Sequence, residues 1–145
     1  MARFQLGVRT SNVTSAQSLF EIIAGAMGCR LRGINITLAT AVTGAFGVGR
    51  PAAKGITPTT PITFPTVDGV GDPSLSKIAL AWGTSPTAPS PYYRRVSMPA
   101  TIGAMADLVF TVIGRGGIWI PAGGTLVLHN ITGGPTLDAT IEIEE

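Results

Sequence analysis

At 145 residues, with 19 glycines, 11 prolines, 45% hydrophobic and only 12% charged side chains, the chain reads as one domain. It is not a disordered chain, which combines low hydrophobicity with high net charge, nor a helical bundle, whose amphipathic faces need charged helix formers rather than Gly, Pro and two lysines. The net charge of +2 is unevenly divided: residues 1–67 carry six basic groups against the acid Glu21, and residues 68–145 carry four against seven acids. That division lets strands of the two halves pair without making a field that advertises nucleic-acid binding.

Phe4, Leu6 and Val8 alternate with Arg3, Gln5 and Arg9, which predicts a half-buried first strand. Ser18–Met27 fits two periods. Ser18 and Glu21 have capping-box spacing and Leu19, Ile22, Ile23 and Ala26 a helical one, whereas Leu19, Glu21 and Ile23 also alternate; strand is preferred over helix. Gly25 and Gly28 mark a turn before a strand over Arg30–Ala41, where Leu31, Gly33, Asn35, Thr37 and Ala39 alternate with Arg32, Ile34, Ile36 and Leu38. Val42–Arg50 continues as a glycine-interrupted strand carried by Val42, Phe46 and Val48.

Ten of the eleven prolines lie between Pro51 and Pro121. Proline fixes φ and lacks an amide donor, so the stretch 51–91 is expected to run as extended connections across an end or edge of a sheet. Short strands are inserted at Ile62–Phe64 and Lys77–Trp82. Further strands are predicted over Tyr92–Met98, Leu108–Ile113, Gly117–Ile120, Leu126–Asn130 and Leu137–Glu144. The phrase from Ile118 to Asn130 reads as an apolar strand, a Pro/Gly turn and a second apolar strand. In the last strand Leu137, Ala139, Ile141 and Ile143 alternate with Asp138, Thr140, Glu142 and Glu144. If the first and last strands are antiparallel neighbours, or meet across subunits, Arg3 and Arg9 come beside Glu142, Glu144 or Asp138, and the Arg9–Glu142 pair is expected to couple. Eight to ten short antiparallel strands with turn signals every 8–12 residues predict an all-β, single-domain sandwich or barrel spanning residues 1–145.

Chemistry-bearing residues are sparse. One cysteine, Cys29, excludes an internal disulfide framework and a Cys-rich zinc site, and one histidine, His129, cannot supply a multi-histidine metal site on a β-barrel. Cys29 with His129 lacks the supporting shell of a nucleophile site, and Asp138, Glu142 and Glu144 share a strand face with no apolar pocket to raise a pKa. No catalytic residue, metal ligand or cofactor is therefore expected, and the chain is not expected to be an enzyme. Gly47–Gly49 and Gly114–Gly117 are Gly-rich like phosphate-cradling loops but match no such pattern and are read as turns. Tyr92, Tyr93, Arg94 and Arg95 suit a protein interface better than a nucleic-acid site, because Tyr and Arg are enriched at protein contacts and no further basic neighbours adjoin them in sequence. The stiff segment with Pro51, Pro58, Pro61 and Pro65 is expected at the same contacts, since a preordered backbone binds at low entropic cost. Asn12, Asn35 and Asn130 each begin an Asn-X-Thr triplet. They are not read as glycosylation sites, because the N-terminus lacks the apolar run of a signal peptide and Asn35 lies in a predicted strand. No run approaches a membrane span, so synthesis in a cytoplasm is the expectation.

Several phrases together carry a resemblance: Val48-Gly49-Arg50-Pro51-Ala52, the Thr/Pro-rich Gly55–Pro65, Leu80-Ala81-Trp82-Gly83-Thr84-Ser85-Pro86, Arg94-Arg95-Val96-Ser97-Met98-Pro99-Ala100 and Ile120–Asn130. With the amphipathic first strand, they make the chain resemble the small virion proteins of tailed bacteriophages. The resemblance implies a jelly-roll-like sandwich on the capsid surface, serving as a decoration or cement protein. It also implies a homo-oligomer, a trimer foremost, whose partner is the major capsid protein or another virion protein, made in the host cytoplasm and touching neither membrane nor nucleic acid directly. Other such proteins are tail or fibre components. A carbohydrate-binding sandwich is the rival expectation, provided that Trp82, Trp119, Tyr92 and Tyr93 are exposed together.

Overall fold

The computed structural model describes residues 2–11, 16–67, 71–112 and 116–145. Among them are thirteen strands and no helix. The strands are β1 (Arg3–Arg9), β2 (Gln17–Ile23), β3 (Cys29–Leu38), β4 (Gly44–Gly49), β5 (Ile56–Thr59), β6 (Ile62–Thr63), β7 (Lys77–Ala79), β8 (Ala81–Thr84), β9 (Arg94–Met98), β10 (Met105–Val109), β11 (Ile118–Ile120), β12 (Thr125–Gly133) and β13 (Leu137–Glu144). One sheet runs β1-β13-β3-β10, with β11 also on β3. A second runs β6-β7-β2-β12-β4-β9, and β5 with β8 forms a two-stranded ribbon. Every pairing is antiparallel, and the two large sheets share one apolar core, which makes the protein a β-sandwich.

The first sheet is built as alternation demands. Leu137, Ala139, Ile141 and Ile143 of β13 face inward opposite Leu38, Ile36, Ile34 and Leu31 of β3, and all eight are buried. Residues 34, 36 and 38 share one parity and residue 31 the other. The register explains this: Glu142 pairs with Gly33 and Ile143 with Leu31, so Arg32 is the extra residue of a β-bulge. The bulge turns Leu31 and Cys29 back into the core. On the other edge of β3 it marks the handover from β10, which ends opposite Gly33, to β11, which starts opposite Leu31.

The second sheet is buried on both faces. Phe20, Ile22, Phe46, Val48, Leu126 and Leu128 fill the core, while Glu21, Val127, His129, Gly47 and Gly49 form the opposite face. The proline-rich stretch covers that face. A Cβ on Gly47 would stand 2.3 Å from the Tyr92 ring, and one on Gly49 2.5 Å from Pro89. These glycines let the loop lie directly on the strand backbone.

The structure bears out some strand expectations and corrects others. Within residues 51–91 the expected short strands are present as β6 and as β7 with β8, but Lys77–Trp82 breaks at Leu80 as the chain leaves the second sheet for the ribbon, and β5 is an additional strand. The Ile118–Asn130 phrase is a strand, a turn and a strand as expected, and its two strands join different sheets. β11 pairs with β3 and β12 with β2 and β4, so the Pro121–Gly124 turn carries the chain from one sheet to the other. Gly47–Gly49 is strand rather than turn, and the strand read over 108–113 lies at Met105–Val109, with residue 113 outside the described residues. The strand count exceeds eight to ten in part because β5 is added and the Lys77–Trp82 segment divides into β7 and β8.

Candidate functional site: an arginine–aromatic seam between the sheets

Tyr92, Tyr93, Arg94 and Arg95 lead into β9, the edge of the second sheet, and their roles divide. Tyr92 is half-buried on Gly47, near His129 (ring centroids 6.3 Å apart), with the Arg95 guanidinium 5.7 Å from its ring centroid. Tyr93, Arg94 and Arg95 are exposed. The Tyr93 amide donates to the Val48 carbonyl at 2.8 Å, and its hydroxyl accepts from Arg50 Nε at 2.8 Å. Arg50 Nη2 donates to the Trp119 carbonyl of β11, joining the second sheet to the first. Trp119 is 41% exposed, and the Arg30 guanidinium lies 5.2 Å from its ring centroid. Arg30, Arg50 and Trp119 thus complete a patch that the sequence reading missed. They are 20 or more residues apart in the chain, and only the pairing of β11 with β3 and the end of β4 brings them together.

Of the proline candidates, Pro61 and Pro65 are exposed, whereas Pro51 and Pro58 are half-buried, Pro58 opposite Trp82 in the ribbon. Trp82 donates its Nε1–H to Glu21 Oε2 at 2.8 Å, and the Gly55 amide donates to Glu21 Oε1 at 3.2 Å. The Glu21 carboxylate is fully buried and pins the ribbon to β2. Beside it opens a pocket of about 330 Å³ lined by Glu21, Ile23, Lys54, Ile56, Pro58 and Thr125, among others. Trp82 and Tyr92 are bound into the fold on the second sheet while Trp119 and Tyr93 meet at the seam, so the four rings form no common sugar platform.

The terminal strands are antiparallel neighbours within one chain. Arg3 stands opposite Glu144, Gln5 opposite Glu142 and Arg9 opposite Asp138. Arg9 and Asp138 form a two-pronged ion pair at 2.6 and 2.7 Å. Glu142 therefore faces Gln5, which corrects the expected Arg9–Glu142 coupling, and Glu144 is held by Arg32 at 3.1 Å. Hydrogen bonding to Arg9 holds Asp138 below its ordinary pKa. The pair's contribution is therefore present at neutral pH and lost as pH falls through the lowered Asp138 pKa. A double-mutant cycle on Arg9 and Asp138 should show a small favourable coupling that fades with added salt and on acidification, and the same cycle on Arg9 and Glu142 should show none, read from melting temperatures.

Cys29 and His129 do not meet. Cys29 lies in the core on β3, and burial pushes its thiol up to about 11. His129 lies on the far face of the second sheet beside Ser18, its pKa lowered by burial. The native thiol should resist a maleimide at pH 8 and react fully once urea unfolds the chain, as mass spectrometry would record; labelling at equal rates in both states would contradict the burial. Among the described residues no three His, Cys, Asp or Glu side chains converge as metal ligands would. Asn35 lies in β3 bonded to Asp107 and Asn130 is buried in β12, while Asn12 and the pair Gly114–Arg115 lie outside the described residues. No protein-family model and no curated protein matches the chain.

Proposed function

We propose that the protein is a non-catalytic structural component of a tailed-phage virion, a jelly-roll-like decoration subunit that binds the head shell through loops and termini. The observation that carries this reading is the surface. Met27, Ile56, Ile102, Met105 and Val112 are each more than 60% exposed on a chain with few charges, so their burial against a partner would release apolar surface from water. Pro61, Pro65, Tyr93, Arg94 and Arg95 extend the surface with stiff backbone and anchor residues. Self-association fits the same features, and the trimer is the form that the resemblance implies.

Electron cryomicroscopy of the virions of the phage that encodes the chain tests the reading directly: density on the head supports it, density in the tail or fibre moves the protein to the tail, and no density in any virion removes it. Sedimentation at micromolar concentration should show an oligomer; a clean monomer that also fails to bind virions would sink the proposal. Tyr93→Ala and Arg94→Ala should weaken virion binding while leaving the thermal melt nearly unchanged, because both side chains are exposed.

A further inference from the structure

We infer that the Arg30–Arg50–Arg94 surface, with Trp119 and Tyr93 at its centre, is a docking site for an acidic segment of a partner protein. Two ion pairs occur among the described residues, Arg9–Asp138 and Arg32–Glu144, and neither involves these three arginines. Arg94 stands opposite Val48, on the same side of the second sheet as Arg50, whereas Arg95 stands opposite Gly47 on the other side, over Tyr92. Three guanidiniums without a carboxylate partner among the described residues, those of Arg30, Arg50 and Arg94, therefore line the seam, beside two rings that are 41% and 47% exposed. The patch is also preorganised. Arg50 spends Nε on the Tyr93 hydroxyl and Nη2 on the Trp119 carbonyl, so its fork is fixed with Nη1 still able to donate. Trp119 is seated against Gly28, where a Cβ would stand 2.7 Å from the indole. That glycine has φ +73° and so tolerates the turn beneath the ring. Side chains already ordered lose little entropy on binding.

The chemistry favours carboxylates on a protein over a nucleic-acid strand. Single-stranded nucleic acid is held by aromatic faces on which bases stack. Here Trp119 is engaged by Arg30 and by the Gly28 backbone, and Tyr92 by Arg95 and by the Gly47 backbone. Guanidinium forks beside apolar rings suit Asp and Glu side chains interspersed with apolar residues. The inference deepens the structural reading above and rests on it only for the identity of the partner as another virion subunit.

The test is a fluorescence-anisotropy titration of the full chain with a labelled peptide of alternating Glu and Leu, and with a single-stranded oligonucleotide of the same charge. The peptide should bind more tightly than the oligonucleotide, with affinity falling as salt rises. The double variant Arg30→Gln/Arg94→Gln should weaken peptide binding by about tenfold or more, whereas Arg9→Gln, on the terminal strand, should not. Neither Arg30 nor Arg94 makes a side-chain hydrogen bond among the described residues, so an unchanged melt confirms that the variant is folded. No binding of the peptide at low salt, equal loss with Arg9→Gln, or tighter binding of the oligonucleotide would each overturn the inference. Peptide binding by a chain that is absent from virions would leave the docking site standing and remove the virion reading; virion binding unaffected by the double variant would do the reverse.

Discussion

A chain from which Arg32 has been deleted should not fold, whereas Arg32→Ala should fold with the native strand order. The bulge at Arg32 puts Leu31 and Cys29 on the same side of the sheet as Ile34, Ile36 and Leu38. Without the extra residue the N-terminal third of β3 would invert, turning Leu31 and Cys29 outward and Arg30 toward the core. Two buried side chains would be lost and a charge pressed into an apolar interior, together exceeding much of the about 5–15 kcal/mol that a domain has in reserve. Arg32→Ala keeps the residue count. It loses the contacts to Glu144 and the Gly116 carbonyl, but it also removes the buried Nε, which has no hydrogen-bond partner among the described residues. Its cost should be about 1 kcal/mol. Circular dichroism and a thermal melt separate the two cases, and a cooperative native-like melt for the deletion would show that the register is set elsewhere.

Glu21→Leu should cost about 2–4 kcal/mol, because it leaves the Trp82 indole N–H and the Gly55 amide without their acceptor on a covered sheet face. Glu21→Gln keeps one acceptor oxygen and should cost less. The readouts are urea unfolding and indole fluorescence: loss of the anchor lets the β5–β8 ribbon lift and exposes Trp82, so its emission should shift to the red while Trp119 supplies a constant background. A Leu variant as stable as the parent would mean that the ribbon is held by apolar contacts alone.

Glu21 also marks where sequence reading reached its limit. Alternation alone determined the first and last strands, because one face of each is apolar and the other charged, and a period of two has a single solution there. Phe4, Leu6 and Val8 opposite Arg3 and Arg9, like Leu137 to Ile143 opposite Asp138 to Glu144, carry their orientation in the residue types. The all-β class likewise follows from glycine, proline and β-branched content together with the absence of long helical periods. In β2 both periods fitted the residues, so strand was a preference that the sheet pairing decided, and the two-faced burial was not visible at all. Glu21 looks like a solvent-facing residue until Gly55 and Trp82, 34 and 61 positions away, close over it.

The rest was decided by tertiary structure. The Pro121–Gly124 turn has the local chemistry of a hairpin, yet Ile118–Ile120 and Thr125–Gly133 join different sheets because β3 and β2 offered each its partner. Gly47 and Gly49 look like turn glycines, and only the Tyr92 ring and Pro89 lying on them explain why a strand should lack side chains there. The arginine–aromatic seam is the clearest instance. Tyr92 to Arg95 are visible as a phrase, but Arg30, Arg50 and Trp119 join them only where two sheets meet. Periodicity and turn chemistry are properties of neighbours in the chain and determine which residues make strands, whereas partner choice, covered faces and convergent side chains depend on contacts between segments far apart in sequence, which packing alone selects.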